Sequence, residues 1–345
     1  MMNLSHGGNI YSQKVDYDFS ANINPLGMPE SVKRILARKI NDFEHYPDPY
    51  CSELVREIAL YEEVEEDRIV CGNGAADLIY RIVQALRPEN ALIAVPTFSE
   101  YEKALRTAGC LINYHQLREE DEFEVREDII EKIDGNDMMF LCNPNNPTGK
   151  MVAPELMENI IKKCNETGCL LILDECFMDF AEEKAKFSLE HNLKNVLLLK
   201  AFTKIYAMAG LRLGYVICPD LKIAEKIRSF GQCWSVSVPA QLAGATAIKE
   251  REYVSETVRL IAEERAFLSE KLRGFGFKVY ESAANFILFR CSLPLDNLLL
   301  EKKRIAVRRC DNFAGIEAGF FRIAVRTQEE NEILISAIEE VLEIG

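Results

Sequence analysis

The chain has 345 residues, a formal net charge of −14 at pH 7, eleven cysteines and four histidines. A chain of this length exceeds what one hydrophobic core usually organises, so we expect a larger and a smaller folding unit. The acidic balance argues against nucleic-acid binding, and the apolar runs are too short to span a bilayer.

Short apolar strands alternate with helical patterns through the first two thirds of the chain. The predicted strands are 68–71, 91–95, 138–141, 170–173, 196–199 and 214–218. This alternation is typical of an α/β fold in which helices cover a mostly parallel sheet.

Beyond Pro239 the pattern changes to long helical stretches, with short strands between them and a helix at the end. The helical stretches are 240–272 and about 328–343, and the strands are near 277–280, 286–289, 305–308 and 320–325. We therefore expect an amino-terminal arm (1–30), a large domain (31–238) and a small α+β domain (239–345), with the arm packed beside the small domain.

A glycine-rich turn, Gly72-Asn-Gly-Ala-Ala-Asp77, joins the first of these strands to an amphipathic helix. Glycines let a backbone approach an anion, and the amides of Ala75 and Ala76 at the helix start suit a phosphate. Such turns also occur in plain structural loops, so this one is a weak signal by itself.

Two later strands end in polar residues. Asp174 follows the apolar run 170–173, so its carboxylate should emerge at the carboxyl end of a buried strand, where open α/β sheets bind ligands. The turn Cys142-Asn-Pro-Asn-Asn-Pro-Thr-Gly149 places Asn146 where it could donate to a ring oxygen of a cofactor. The alternatives are a turn-capping aspartate and an ordinary strand exit.

Lys204 precedes the run Gly210-Leu-Arg-Leu-Gly-Tyr215. A lysine amine becomes a useful nucleophile in a buried, cationic setting, and Arg212 supplies a fixed positive charge and a fork for phosphate. The alternative for a lysine taken alone is a solvated surface residue.

Together these segments resemble the fold type I pyridoxal phosphate enzymes of the class I/II aminotransferase family, over nearly the whole chain. The resemblance implies pyridoxal 5′-phosphate as cofactor, a Schiff base at Lys204, an anion at Asp174 beside the pyridine nitrogen, and a ring-oxygen contact from Asn146. It also implies contacts to the cofactor phosphate from Ala75, Ala76, Thr203 and Arg212.

Two aromatic residues match family positions as well. Phe98 stands where the family stacks a ring on the cofactor, with core packing as the alternative. Tyr46 matches a tyrosine that reaches the cofactor phosphate of the neighbouring subunit, which implies a homodimer.

Both ends of the chain resemble the L-threonine-O-3-phosphate decarboxylase branch of the family, and next to it the histidinol-phosphate aminotransferase branch. Arg322 matches the arginine that fixes the substrate's anionic end, and its fork suits a carboxylate or phosphate. A second anion pocket is expected from Arg308, Arg326, His6, Asn9, Asn22 and Asn24. The alternative for each arginine is a surface ion pair.

Three positions depart from the usual family pattern. Phe177 replaces a tyrosine that hydrogen-bonds the ring oxygen, Ala201 replaces a hydroxyl residue near the cofactor phosphate, and Cys176 replaces an alanine beneath the ring. The resemblance leaves decarboxylation and transamination of a phosphorylated substrate both open. A non-catalytic ligand sensor on the same fold is the third alternative.

The remaining features predict no further site. The cysteines lack metal-ligand spacing, so we expect no metal site and, in the absence of a secretion signal, reduced thiols in a cytoplasmic protein. The expected partner is a small phosphorylated amino acid, with no nucleic acid and no membrane.

Overall fold

The computed structural model describes residues 6–12, 14–182 and 193–344. In this part of the chain the strands are β1 (Tyr17–Asp18), β2 (Ile69–Gly72), β3 (Asn90–Val95), β4 (Leu111–Gln116), β5 (Met138–Cys142), β6 (Leu170–Asp174), β7 (Val196–Ala201), β8 (Gly214–Ile217), β9 (Lys278–Val279), β10 (Phe286–Arg290), β11 (Ile305–Ala306), β12 (Arg308–Arg309) and β13 (Phe320–Ala324).

The α-helices lie between these strands and after the last of them. They are α1 (Glu30–Arg38), α2 (Ser52–Glu62), α3 (Ala75–Leu86), α4 (Glu100–Thr107), α5 (Ile129–Lys132), α6 (Pro154–Thr167), α7 (Phe202–Ile205), α8 (Leu221–Ser229), α9 (Val238–Ala247), α10 (Arg251–Gly274), α11 (Leu295–Lys303) and α12 (Gln328–Ile344). The helical stretch expected over 240–272 is thus two helices, α9 and α10.

The largest sheet has seven strands in the order β2-β8-β7-β6-β5-β3-β4. Strands β3 to β7 run parallel, whereas β8 is antiparallel to both of its neighbours. The α/β class and the mostly parallel sheet are therefore confirmed. Burial on both faces explains the continuous apolar runs of β5 and β6, because side chains alternate between faces that are both covered.

Helices cover both faces of this sheet. On one face, Ile79 of α3, Leu105 of α4 and Ile227 of α8 belong to one buried cluster. On the other face, Met157 and Ile160 of α6 join a larger cluster that continues into the carboxyl-terminal third. This packing holds the carboxyl ends of β5, β6 and β7 in register at one edge of the sheet, where Cys142 lies opposite Asp174.

A second sheet, of order β12-β13-β10-β9, is antiparallel throughout. The amino-terminal strand β1 pairs with β11 in parallel, and the amide of Ala324 donates to the carbonyl of Phe19 (2.8 Å). Residues from both ends of the chain are thereby brought beside the large sheet. The domain boundaries at residues 30 and 238 stay predictions.

None of the helices in the described ranges combines the length and the hydropathy that crossing a membrane requires.

Candidate active site

A cavity of about 540 Å³ lies at the carboxyl edge of the large sheet. Asp174 enters it from the end of β6, and Lys204 enters it from α7, which begins directly after β7. The two residues that the sequence singles out as the centre of the site therefore share one cavity, although they belong to different strand–helix units.

Asp174 is buried, with 4% of its surface exposed. The hydroxyl of Tyr101 donates to Oδ2 (2.6 Å), and the amide of Cys176 donates to Oδ1 (2.9 Å). Burial raises the pKa of Asp174, although these hydrogen bonds oppose the rise. A buried carboxylate of this kind is most stable opposite a cation, and a protonated pyridine nitrogen is a suitable partner.

Lys204 lies at the cavity wall with two guanidinium groups nearby. Desolvation lowers the pKa of its amine to about 8, and the charges of Arg322 and Arg212 act in the same direction. Its carbonyl accepts a hydrogen bond from the amide of Asn24 (3.1 Å), which anchors the turn that carries it. A lowered pKa makes more free amine available for attack on a carbonyl carbon near neutral pH.

The opposite end of the cavity has the form of an anion cradle. Ala75 and Ala76 are the first residues of α3, where amides have no partner within the helix, and both line the cavity with Thr203 and Arg212. Gly74 has φ +87°, and a Cβ placed there would lie 2.6 Å from Nη2 of Arg212. The guanidinium therefore packs directly on a glycine backbone, and a side chain at Gly74 would displace it.

Arg322 of β13 forms a second positive group, buried to 6% exposure. Its Nη1 donates to Oδ1 of Asn146, its Nη2 donates to the carbonyl of Ser20 (2.8 Å), and its guanidinium lies 5.4 Å from the ring centroid of Phe286. Burial lowers its pKa to about 10. Its Nε has no acceptor among the described residues, so a bound anion would satisfy it.

Further predicted residues line the same cavity. Arg308 donates to Oδ1 of Asn312 (2.6 Å) and lies over the ring of Phe313. Asn22 is buried, and its Oδ1 has no donor within the described ranges. His6 and Phe98 also line the cavity, with their ring centroids 5.6 Å apart.

Other predicted residues lie outside the cavity lining, because their side chains are engaged elsewhere. Asn24 donates to the carbonyl of Ile205 and to the hydroxyl of Thr257, both at 2.7 Å. Asn9 donates to Ser12, and Arg326, just before α12, pairs with the carboxylate of Glu330. The part of the second anion pocket expected from these three residues is therefore not present in this arrangement; Asn24 instead supports the turn of Lys204.

Tyr46 also lies outside the cavity. It is 80% exposed, and its ring centroid is 4.6 Å from that of Trp234. Its expected contact with the cofactor of a second subunit stays a prediction.

The three departures from the family pattern all face the cavity. Phe177 packs edge-on against Phe286, with 5.0 Å between the ring centroids. A ring without a hydroxyl therefore lies where a tyrosine was expected from the family pattern. Cys176 and Ala201 contribute to the lining as well.

Residues that the sequence did not single out complete the lining. Tyr101 is the donor to Asp174, and Glu100 and Lys103 also line the cavity, where the half-exposed side chain of Lys103 marks the mouth. Only their place in the sequence could have indicated a role in the site. They follow Phe98 and lie at the start of a helix that begins shortly after the carboxyl end of β3. In all, five lysine or arginine side chains and two carboxylates line the cavity, an excess of positive charge within a protein of net charge −14.

Behind the cavity wall, Lys200 points to the opposite face of the sheet from its neighbour Ala201, because side chains alternate along a strand. Its Nζ lies 2.9 Å from Oε1 of Glu62 and 3.7 Å from Oε2 of Glu175, and Tyr215 donates to Glu62 (2.5 Å). Burial raises the pKa of Glu175 to about 7, in spite of the nearby lysine.

Comparison with known proteins assigns the chain to a family. A family model described as aminotransferase class I and II matches residues 15–338. The chain belongs to this family.

Individual proteins that are similar to this chain match almost its whole length. Threonine-phosphate decarboxylase from Salmonella typhimurium is 36% identical, over 99% of this chain and 98% of that protein. The crystal structure of histidinol-phosphate aminotransferase from Clostridium acetobutylicum superposes with a TM-score of 0.89 at 32% identity, covering 95% of this chain and all of the other. That of L-threonine-O-3-phosphate decarboxylase from Porphyromonas gingivalis has a TM-score of 0.85 at 25% identity, covering 94% of this chain and 99% of the other.

Proposed function

We propose that this class I and II family member binds pyridoxal 5′-phosphate in the cavity and decarboxylates a phosphorylated amino acid, L-threonine-O-3-phosphate. The observation that supports it most is one cavity lined by a buried carboxylate, a lysine amine with a lowered pKa and a surplus of arginines. The resemblance to decarboxylases adds the substrate class, and the resemblance to a bifunctional protein of adenosylcobalamin biosynthesis adds a place in that pathway.

The residues present fit the cofactor. The α3 amides and Arg212 suit its phosphate, Asp174 suits its pyridine nitrogen, and Lys204 supplies the amine for its aldehyde. Since Oδ1 of Asn146 is engaged by Arg322, the amide NH₂ is the group left to donate to the ring oxygen. When bound, pyridoxal phosphate supplies an electron sink that stabilises the electrons of a broken Cα bond.

The chain's own residues then decide which bond breaks. Arg322, with its unsatisfied Nε, and Arg308 are the groups expected to bind the substrate's two anions and thereby fix its rotation about the Cα–N bond. If this holds the carboxylate perpendicular to the cofactor ring, carbon dioxide leaves. Lys204 is placed to return a proton to Cα, because its pKa lies near neutrality.

Histidinol-phosphate aminotransferase activity is the second candidate, favoured by the 0.89 TM-score to such an enzyme. There the anion pocket would hold the Cα hydrogen perpendicular instead, and Lys204 would move that proton. Two incubations separate the candidates: one with threonine phosphate, and one with histidinol phosphate plus 2-oxoglutarate. Carbon dioxide without glutamate supports the decarboxylase, whereas glutamate in the second incubation contradicts it.

Lys204 offers a direct control for catalysis. Lys204→Ala should abolish turnover, and Lys249→Ala, at an exposed lysine paired with Glu57, should not. Borohydride treatment of the yellow holoprotein should label Lys204. If cofactor binds but neither substrate turns over, the remaining reading is a ligand-sensing protein built on this fold.

We further propose that the working unit is a homodimer and that the protein is cytoplasmic. Tyr46, Tyr50 and Trp234 are exposed aromatic side chains, which a subunit interface would cover. Light scattering should give twice the chain mass, and Tyr46→Phe should weaken cofactor retention if its hydroxyl reaches the partner's cofactor phosphate.

A further inference from the structure

Glu100, the first residue of α4, stands at the mouth of the cavity and joins three parts of the chain. Its Oε1 accepts hydrogen bonds from Nε2 of His6 (2.8 Å) and from Nζ of Lys103 (2.7 Å). Its Oε2 accepts one from the hydroxyl of Tyr80 in α3 (3.1 Å). One carboxylate thus connects the amino-terminal arm to the helices that flank the cavity.

A carboxylate is an unexpected group at the entrance of a cavity that attracts anions. Glu100 is only 15% exposed, and burial alone would raise its pKa. Hydrogen bonds from Lys103 and His6 outweigh that effect, so the net result is a pKa below the ordinary value. The side chain is therefore ionised at neutral pH, and its negative charge attracts the side chains of His6 and Lys103.

The contact with Glu100 is one of few that hold residues 6–12, the first described part of the arm, whereas residues 17–24 are fixed by β1 and by the backbone bonds of Phe19 and Asn24. Besides the bond to Glu100, the ring of His6 lies beside that of Phe98, the amide of Gly8 donates to Oγ of Ser20 (2.8 Å), and Gly7 packs against the backbone of Ser20. The following Tyr11 is 93% exposed. With Nε2 of His6 donating to Glu100, Nδ1 is the ring atom left to meet a ligand, and in the imidazolium form it can donate to a phosphate oxygen.

We propose that Glu100 is a positioning residue for the anionic end of the substrate: it fixes His6 of the arm and Lys103 at the cavity mouth, so that both meet the substrate's phosphate. This inference rests on the proposed function. It adds a carboxylate that acts through two bases and does not itself touch the substrate.

Steady-state kinetics with threonine phosphate tests the role. Glu100→Gln keeps the shape and removes the charge, so the Michaelis constant should rise about tenfold, the value of one charge-assisted hydrogen bond, while kcat changes less than about twofold. Glu100→Asp should recover part of the loss. The matched control is Glu102→Gln, which removes a carboxylate two residues away that pairs with exposed Arg106 and is not part of the cavity lining.

A double-mutant cycle shows whether the effect passes through the arm. His6→Gln should raise the Michaelis constant similarly, and the double variant should be little worse than either single one, because both remove the same contact. An additive result would overturn the proposal. A fall in the Michaelis constant of Glu100→Gln would overturn it too, since the carboxylate would then compete with the substrate for its bases.

Hydrogen–deuterium exchange provides a readout that needs no turnover. Amides of residues 6–12 should exchange at least about fivefold faster in Glu100→Gln than in the wild type or in Glu102→Gln. Unchanged exchange would contradict the anchoring role even in an active enzyme. Faster exchange in a protein that turns over neither substrate would keep the anchor and reject the proposed function.

Discussion

The pKa of Lys204 gives the sharpest quantitative expectation. Burial, Arg322 and Arg212 lower it from 10.5 to about 8. At pH 7 the free amine then makes up about one tenth of the population, against about one in three thousand at the ordinary value, a gain of about three hundredfold. The apoprotein should therefore present an unusually reactive amine at this position.

Reductive methylation of the apoprotein, followed by peptide mass spectrometry across pH 6 to 11, measures this pKa. The labelling rate at Lys204 should rise about tenfold per pH unit and level off near pH 8, whereas N-acetyl-lysine in the same tube should level off above pH 10. Arg322→Met removes one positive neighbour, so its midpoint should move upward; circular dichroism checks that it folds. A wild-type midpoint near 10.5 would refute the reasoning.

Three other expectations concern the cradle and the ion network behind it. Gly74→Val should weaken pyridoxal phosphate binding at least about tenfold by displacing Arg212, whereas Gly109→Val, also at positive φ but with open space around it, should bind normally; fluorescence titration measures both. Because the pKa of Glu175 is about 7 when folded and 4.5 ordinarily, the folded state binds the extra proton. The contribution of Glu175 to the free energy of unfolding should therefore fall by up to about 1.4 kcal/mol per pH unit as pH rises from 4.5 to about 7. Urea titrations at several pH values should show this slope in the wild type and not in Glu175→Gln. Lys200→Met leaves two buried carboxylates without their base, so urea unfolding should show a loss of about 3–5 kcal/mol, and a loss under 1 kcal/mol would contradict the assigned pairing.

Most of the fold could be predicted from the pattern of apolar residues in the strands. The runs ending at Cys142 and Asp174 are apolar throughout, as strands covered on both faces must be, and this located the sheet edge that bears the site. The edge strand β4 was missed because Leu111 and Tyr114 are exposed and its polar residues give no clear alternation. Residues fixed by local geometry, such as the start of α3, were also accessible from sequence.

Side chains whose roles depend on distant partners were not accessible. Asn24 and Arg326 have the chemistry of an anion pocket, but hydrogen bonds with Ile205 and with a neighbouring glutamate hold them elsewhere. The sequence did not point to Glu100, because an acidic residue is not expected in a cavity rich in positive charge. Its role becomes apparent only from its hydrogen bonds to basic side chains. Spacing along a chain specifies which backbone edges meet, but not which polar groups satisfy each other first.

Strand β1 pairs with β11, and Arg322 donates to the carbonyl of Ser20, a residue 302 positions earlier in the chain. During synthesis on a ribosome, the strands of the seven-stranded sheet are all present once residue 217 has emerged, whereas Arg322, the arginine expected to bind the substrate, emerges about a hundred residues later. Most residues expected to bind the cofactor are therefore synthesised well before the arginine expected to bind the substrate. We therefore expect the pocket for the substrate's anion to form late in folding, when the two ends of the chain meet.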